Sequence, residues 1–161
     1  EINLDSRYDS KGTILIKRLL QFYLDKKIRT KIINLIFEDT FKDRSSKISD
    51  GFYLNKEDAL EMFKNGMSFG IHGFNHHWFS SLTKKQQEDE VLLSINHLKK
   101  NKIFSPNLSL CYPYGSYDSN TIIIAKKLRI KFAVTTDSNS LHKINSNNIY
   151  KIPRFDCNDF I

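Results

Sequence analysis

Two histidines, His72 and His76, are the residues of this chain whose types and spacing most directly suggest chemistry. They stand in the run His72-Gly73-Phe74-Asn75-His76-His77, at the end of the short apolar stretch Met67–Ile71. Imidazole is the commonest metal-ligating side chain, and a spacing of i, i+4 lets both rings reach one divalent ion. A protease of the His-Glu-x-x-His class is excluded, because that chemistry needs a glutamate at the second position and a helix beneath it. The second position here is Gly73, which favours a loop whose backbone passes close to something else. His77 should point away from the pair, since adjacent side chains diverge. A purely structural zinc site would want a full set of Cys or His ligands, and only the pair is in view.

A second segment, Cys111-Tyr112-Pro113-Tyr114-Gly115, reads as a rigid turn closing a short buried strand, because Pro and Gly set backbone dihedrals at little cost. Together the two segments resemble motifs of the polysaccharide deacetylase (NodB-homology) family, which removes acetyl groups from N-acetylated sugars. In that family the first motif reads His-Ser/Thr-x-x-His-Pro and both histidines bind metal. The second reads Arg-Pro-Pro-Tyr-Gly. The resemblance therefore implies His72 and His76 as ligands of a divalent metal, with zinc the best fit and nickel or cobalt also suitable. It implies Tyr114 as a catalytic residue whose backbone N–H faces the oxyanion of a tetrahedral intermediate. Tyr112 and Pro113 would line the acetyl pocket, and Asn75 is a further candidate substrate contact. The order of elements around the histidines, from Asn55 to Val91, is also family-like.

The departures are as informative as the matches. Gly73 stands where the family has a hydroxyl residue, and Cys111 stands where it has arginine. Arg154, in Ile152-Pro153-Arg154-Phe155-Asp156, is the candidate replacement cation, with an ion pair to Asp156 or Asp159 as its alternative. The family's opening Thr-Phe-Asp-Asp strand, which supplies the catalytic base and third metal ligand, has no counterpart. Phe37-Glu38-Asp39 lies in a helical pattern, and Ser49-Asp50-Gly51 is a loop signal with no strand before it. Leu141-His142 matches the family's late Leu-x-His general acid superficially, so His142 is the candidate acid, against an exposed loop histidine as the plain alternative. His97 falls mid-helix on a polar stripe. Two functions follow: a metal-dependent deacetylase acting on N-acetylated sugars, or a catalytically inactive carbohydrate- or protein-binding remnant of the same fold.

Composition sets the outer limits. With 161 residues, 40% hydrophobic and 27% charged, the chain is long enough for one domain with a real core. No apolar run approaches the roughly 20 residues a membrane-spanning helix needs, and no leader is visible. The net charge of +7 would suit an anionic glycan. Nucleic acid is not the expected partner, since no basic segment is interleaved with aromatics and the lysines of 84–102 alternate with Glu88, Asp89 and Glu90 as a solvated face. Cys111 and Cys157 cannot build a disulfide framework; buried free thiols in a reducing compartment, the cytoplasm, are expected.

The elements that must position the motifs follow from periodicity. Helical stripes run through 13–24 (Ile16, Leu19, Leu20, Tyr23) and 29–41 (Ile32, Ile33, Ile36, Phe37, Phe41), with a charged loop at 43–50. Asn55 can cap a helix over 56–65 that Gly66 stops, and Thr83 can cap another reaching to about Asn101 with Val91, Leu92, Ile95 and Leu98 inward. Asp118 or Ser119 starts a third, carrying Ile122, Ile123, Ala125 and Leu128. Strands are expected at 67–71, 108–112, 131–135 and 149–155, and their alternation with helices implies parallel βα units. The expected fold is α/β, an incomplete, distorted (β/α) barrel of the polysaccharide deacetylase type with a helical insertion in front. The chain reads as a single domain over 1–161, the C-terminal part of a longer one, with 1–45 as the insertion and 46–161 as the barrel portion. A barrel lacking its first strand leaves a sheet edge open, so self-association is expected there.

Overall fold

The chain divides into two units, Glu1–Leu54 and Asn55–Ile161, in the computed structural model of the protein, which describes residues 2–6, 8–42, 51–138 and 144–157. In the first unit Ser10 accepts from the Thr13 N–H and starts α1 (Lys11–Arg18), which runs on as a wider π-type turn over Leu19–Tyr23. Asp25 accepts from the Lys27 N–H at 2.8 Å and starts α2 (Lys26–Phe41). The Arg29 guanidinium donates to Gln21 O at 2.7 Å and ties the two elements together. The expected apolar stripes need correction. Ile14 is the buried residue of α1, while Ile16, Tyr23, Ile33, Ile36 and Phe37 are exposed. Helical period tells which residues share a face, not whether anything covers it. Glu38 and Asp39 are helical, and the loop expected at 43–50 lies outside the described residues.

The helices of the second unit begin where short polar side chains close reciprocal bonds. Asn55 and Asp58 form a capping box at the start of α3 (Lys56–Lys64), Thr83 and Gln86 at α4 (Lys84–Lys100), and Asp118 and Thr121 at α5 (Ser119–Lys127). All three end alike, passing one residue through left-handed backbone: Gly66, Lys102 and Arg129. The next N–H then donates back into the helix, Met67 to Met62 O, Ile103 to Leu98 O and Ile130 to Ala125 O, at 3.0, 3.0 and 2.9 Å. This satisfies terminal carbonyls and returns an apolar residue to the helix. Ile103 and Ile130 are buried by it and lead toward the strands.

Those strands, β1 (Ser109–Cys111) and β2 (Phe132–Val134), pair in parallel with Leu110 opposite Ala133. Single parallel bridges extend the layer on both sides, Ile71 to Leu110 and Val134 to Ile152. The order across it is Ile71, β1, β2, Ile152, with α4 between the first two in sequence and α5 between β1 and β2. The expected strands therefore shrink to three residues or one bridged residue each, because a strand ends where its partner's hydrogen bonds end, not where its own apolar run does. What the described residues establish is a mixed helix–strand fold with parallel pairing.

The core gathers Leu110 and Ala133 with Val91, Ile95 and Leu98 of α4 and Ile124 and Ala125 of α5. In α5 the phase is one step off expectation: Ile124 is buried and Ile123 is exposed. The charged face of α4 needs a larger correction. Lys85 pairs with Asp89 and Lys127 with Glu88 at the surface, both at 2.6 Å. Glu90 is only 5% exposed and turns toward the loop after Ile71. Both cysteines are free; Cys111 is half-buried and Cys157 is exposed rather than buried. No helix among the described residues is long and apolar enough to cross a membrane.

Candidate metal centre and active site

Parallel pairing brings the segments that leave Ile71, β1 and β2 to one end of the layer. His72 follows Ile71 directly, and its Nδ1 lies 2.7 Å from Cys111 O at the end of β1. A carbonyl can only accept, so Nδ1 carries the hydrogen and the neutral ring keeps its lone pair at Nε2. That atom is 3.0 Å from His76 Nε2, while His76 Nδ1 lies 3.1 Å from the Tyr114 hydroxyl. Both Nε2 atoms thus face one point with both Nδ1 atoms held from outside, which is how proteins fix the tautomer and orientation of ligating histidines. A separation of 3.0 Å fits two ligands each about 2.0–2.1 Å from one ion. The His76 pKa is lowered, first by burial and then by the nearby His72 and His77 rings, and this favours the neutral, ligating form.

The loop that presents the histidines is fixed at several points. Gly73 has φ +73°, and a Cβ there would meet Pro113 Cγ at 3.1 Å. The Asn75 N–H donates to Glu90 Oε2 at 2.7 Å and its side-chain Nδ2 donates to Glu90 Oε1 at 2.6 Å. His76 follows with φ +56°, a conformation most side chains avoid. On the facing turn, Tyr114 and Gly115 are also left-handed, at +57° and +70°, and the Thr136 side chain fills the space a Cβ at 115 would take. The Tyr114 ring stacks on Trp78 at 4.9 Å and 13°. Below it, Ser80 and Ser116 hydroxyls meet at 2.7 Å and join the segments that follow the two motifs. Among the described residues no acceptor bonds the Tyr114 N–H.

The other expected site residues distribute unevenly. Tyr112 is fully buried, its hydroxyl donating to Tyr150 O at 2.9 Å and its ring stacked on Tyr117, so it supports the turn from beneath instead of lining a pocket. Burial, with Tyr117 and Tyr150 adding to it, pushes its phenol pKa up. Pro113 is buried against Gly73. The Asn75 amide nitrogen is taken by Glu90. The Arg154 Nε donates to Thr135 O at 2.8 Å, one residue before the Thr136 that abuts Gly115, so Arg154 belongs to the same end of the layer. A cavity of about 150 Å³ opens there, bordered by Tyr117, Thr135, Asp137 and Lys151. His97 is exposed, with its ring edge toward Phe74. His142 lies outside the described residues.

Two contributors were not legible from motif spacing, Glu90 and Trp78. Glu90 left a signal nonetheless: it lies in phase with Gln87, Val91, Ser94 and Leu98 on the buried face of α4.

Comparison with known proteins identifies the family. A family model described as polysaccharide deacetylase matches residues 21–133. Among curated proteins the chain is similar to "Putative polysaccharide deacetylase YxkH" of Bacillus subtilis (strain 168), 26% identical over 133 residues, covering 70% of this chain and 47% of that protein. Among solved structures it resembles Streptococcus pyogenes deacetylase PplD in complex with acetate, with a TM-score of 0.55 and 28% identity, covering 63% of this chain and 43% of that one. The chain thus spans about half the length of the relatives it matches.

Proposed function

Because this chain belongs to the polysaccharide deacetylase family, we propose that it acts on the N-acetyl groups of a glycan, hydrolysing the amide carbon–nitrogen bond at the site formed by His72, His76 and the turn at 112–115. The observation that carries this reading is the 3.0 Å approach of the two Nε2 atoms, with each Nδ1 held from outside the pair. His72 and His76 would hold a divalent ion, for which zinc suits the donor set best. Such an ion supplies Lewis-acid polarisation and activates water at neutral pH.

The chain's own groups do the rest. The Tyr114 N–H is the donor we assign to the developing oxyanion, where a preorganised N–H is most effective once water is excluded. Arg154, anchored on Thr135 O, is the cation assigned in place of the family arginine. Asn75 contacts substrate through the side-chain oxygen that Glu90 does not use, His142 is the candidate general acid, and Pro113, buried against Gly73, backs the loop that presents the histidines. Among the described residues no group of three metal-ligating side chains is present, so the third ligand would come from solvent, buffer or another chain, and turnover would lack its carboxylate base. The same fact favours a second reading, a remnant that binds carbohydrate or protein without turnover. The parallel order Ile71, β1, β2, Ile152 supports part of a distorted barrel, whose edge at Ile71, unpaired among the described residues, would serve self-association; two free thiols suit the cytoplasm.

Zinc titration and acetate release from N-acetylated oligosaccharides test this together. One ion per chain is expected, with binding lost in H72A and H76A. Release should be slow, about 10²–10⁴-fold below an enzyme with its base in place, and dependent on both histidines. Release that survives the double variant would overturn the proposal. Metal binding with saturable oligosaccharide binding and no release would select the second reading.

A further inference from the structure

We propose that Glu90 is a positioning residue for the histidine pair, holding the 72–76 loop through Asn75 in the shape that brings the two Nε2 atoms together; this rests on the reading of His72 and His76 as metal ligands. A carboxylate 5% exposed is costly to bury unless its oxygens are bonded. Both oxygens of Glu90 are bonded, and both bonds go to one residue, Asn75, at 2.7 and 2.6 Å. No cation bonds it among the described residues. The charge is therefore committed to the loop and not to a salt bridge.

The position of Asn75 gives that commitment its consequence. It lies between Gly73 and His76, both left-handed, at φ +73° and +56°. A non-glycine residue holds such a conformation only where its surroundings over-determine it. Glu90 does this from two directions, fixing the backbone N–H of Asn75, one residue before His76, and the side chain of the same residue. It also closes the inner side of the loop, since a Cβ at Gly73 would lie 3.6 Å from Glu90 Oε2. The clamp is built on a rigid element: α4 is seated in the core by Val91, Ile95 and Leu98. Ligands held by a packed second layer keep their geometry before the ion arrives.

The test exchanges donor and acceptor. E90L removes both acceptors, and N75D sets carboxylate against carboxylate. The double variant E90Q/N75D restores both bonds, the side-chain one with its polarity reversed: the new amide oxygen accepts the backbone N–H, and its NH₂ donates to the new carboxylate. Cobalt affinity and the visible Co²⁺ spectrum are measured for the parent, both singles and the double, with circular dichroism as the folding control. Each single should weaken cobalt binding about 10-fold or more and alter the spectrum, and the double should return to within about 3-fold of the parent. N75A, which removes only the side-chain bond, should fall between. Singles that bind as the parent does, or a double that binds no better than N75D, would overturn the role of Glu90 while leaving the metal site intact. If the parent itself binds no cobalt, the metal reading fails. The imidazole ¹⁵N shifts of His72 and His76 in the metal-free protein then decide the clamp: changed in the singles and restored in the double supports it, unchanged refutes it.

Discussion

Removing the Tyr114 hydroxyl isolates one bond of the proposed centre. Y114F keeps the ring, and so keeps the 4.9 Å stack on Trp78, but deletes the oxygen that lies 3.1 Å from His76 Nδ1. For His76 to ligate through Nε2, Nδ1 must carry the hydrogen and donate it to that oxygen. Without the acceptor the ring loses its restraint and the tautomer is no longer selected. A neutral hydrogen bond contributes about 0.5–1.5 kcal/mol net, and losing such a partner to a ligating histidine typically costs about 10–100-fold in metal affinity. The bond is long and partly solvent-exposed, so the low end applies: about 10-fold, or about 1.4 kcal/mol. Thermal stability should hardly change, because the site is partly solvent-exposed and water can bond His76 Nδ1 where the hydroxyl stood. The assay is competition of zinc between the protein and a chelating dye, with H76A as the reference for complete loss. A Y114F affinity within about 2-fold of the parent, alongside lost binding in H76A, would refute the assignment of Tyr114 as the outer partner of His76.

Further outcomes follow from the backbone and the caps. G73A should lower the melting temperature and weaken zinc binding together, since φ +73° costs a side chain about 1–2 kcal/mol and the new Cβ meets Pro113 Cγ at 3.1 Å; unchanged thermal unfolding would count against the geometry of the loop. For Asp118, burial acts to raise the carboxyl pKa, but hydrogen bonds from Thr121, Gln87 and Asn120 outweigh it and hold the pKa below the usual carboxylate range. A depressed folded pKa stabilises the fold above the unfolded value near about 3.9 and loses that contribution as pH falls through the folded value. The stability gap between parent and D118A, about 0.5–2 kcal/mol from the lost cap, should therefore be full above about pH 5 and shrink on acidification, as urea unfolding at stepped pH would show. A gap that widens in acid would contradict the sign.

Much of the local architecture was legible because it depends on neighbours in sequence. The capping boxes at Asn55, Thr83 and Asp118 join residues three apart, and the stop at Gly66 needs only a residue that accepts left-handed backbone. Glycine at 73 already argued for a loop and not a helix between the histidines. The His72–His76 spacing named the pair, and the Tyr-Pro-Tyr-Gly stretch named the turn facing it.

The amino-acid sequence by itself determined which residues could ligate and where helices begin and end, through bonds that span one turn of chain. It could not determine what stands on the far side of each group. The Nδ1 partners of the pair, Cys111 O and the Tyr114 hydroxyl, lie 39 and 38 residues from their histidines. Glu90 reads as one more charge on a solvated helix until the loop folds against it, and Tyr112 reads as a pocket wall until Tyr117 and Tyr150 close over it. Strand length, helix-face coverage and Nε2 geometry are likewise decided only in the tertiary structure, because hydrogen bonding and burial are properties of pairs that periodicity along one chain cannot supply.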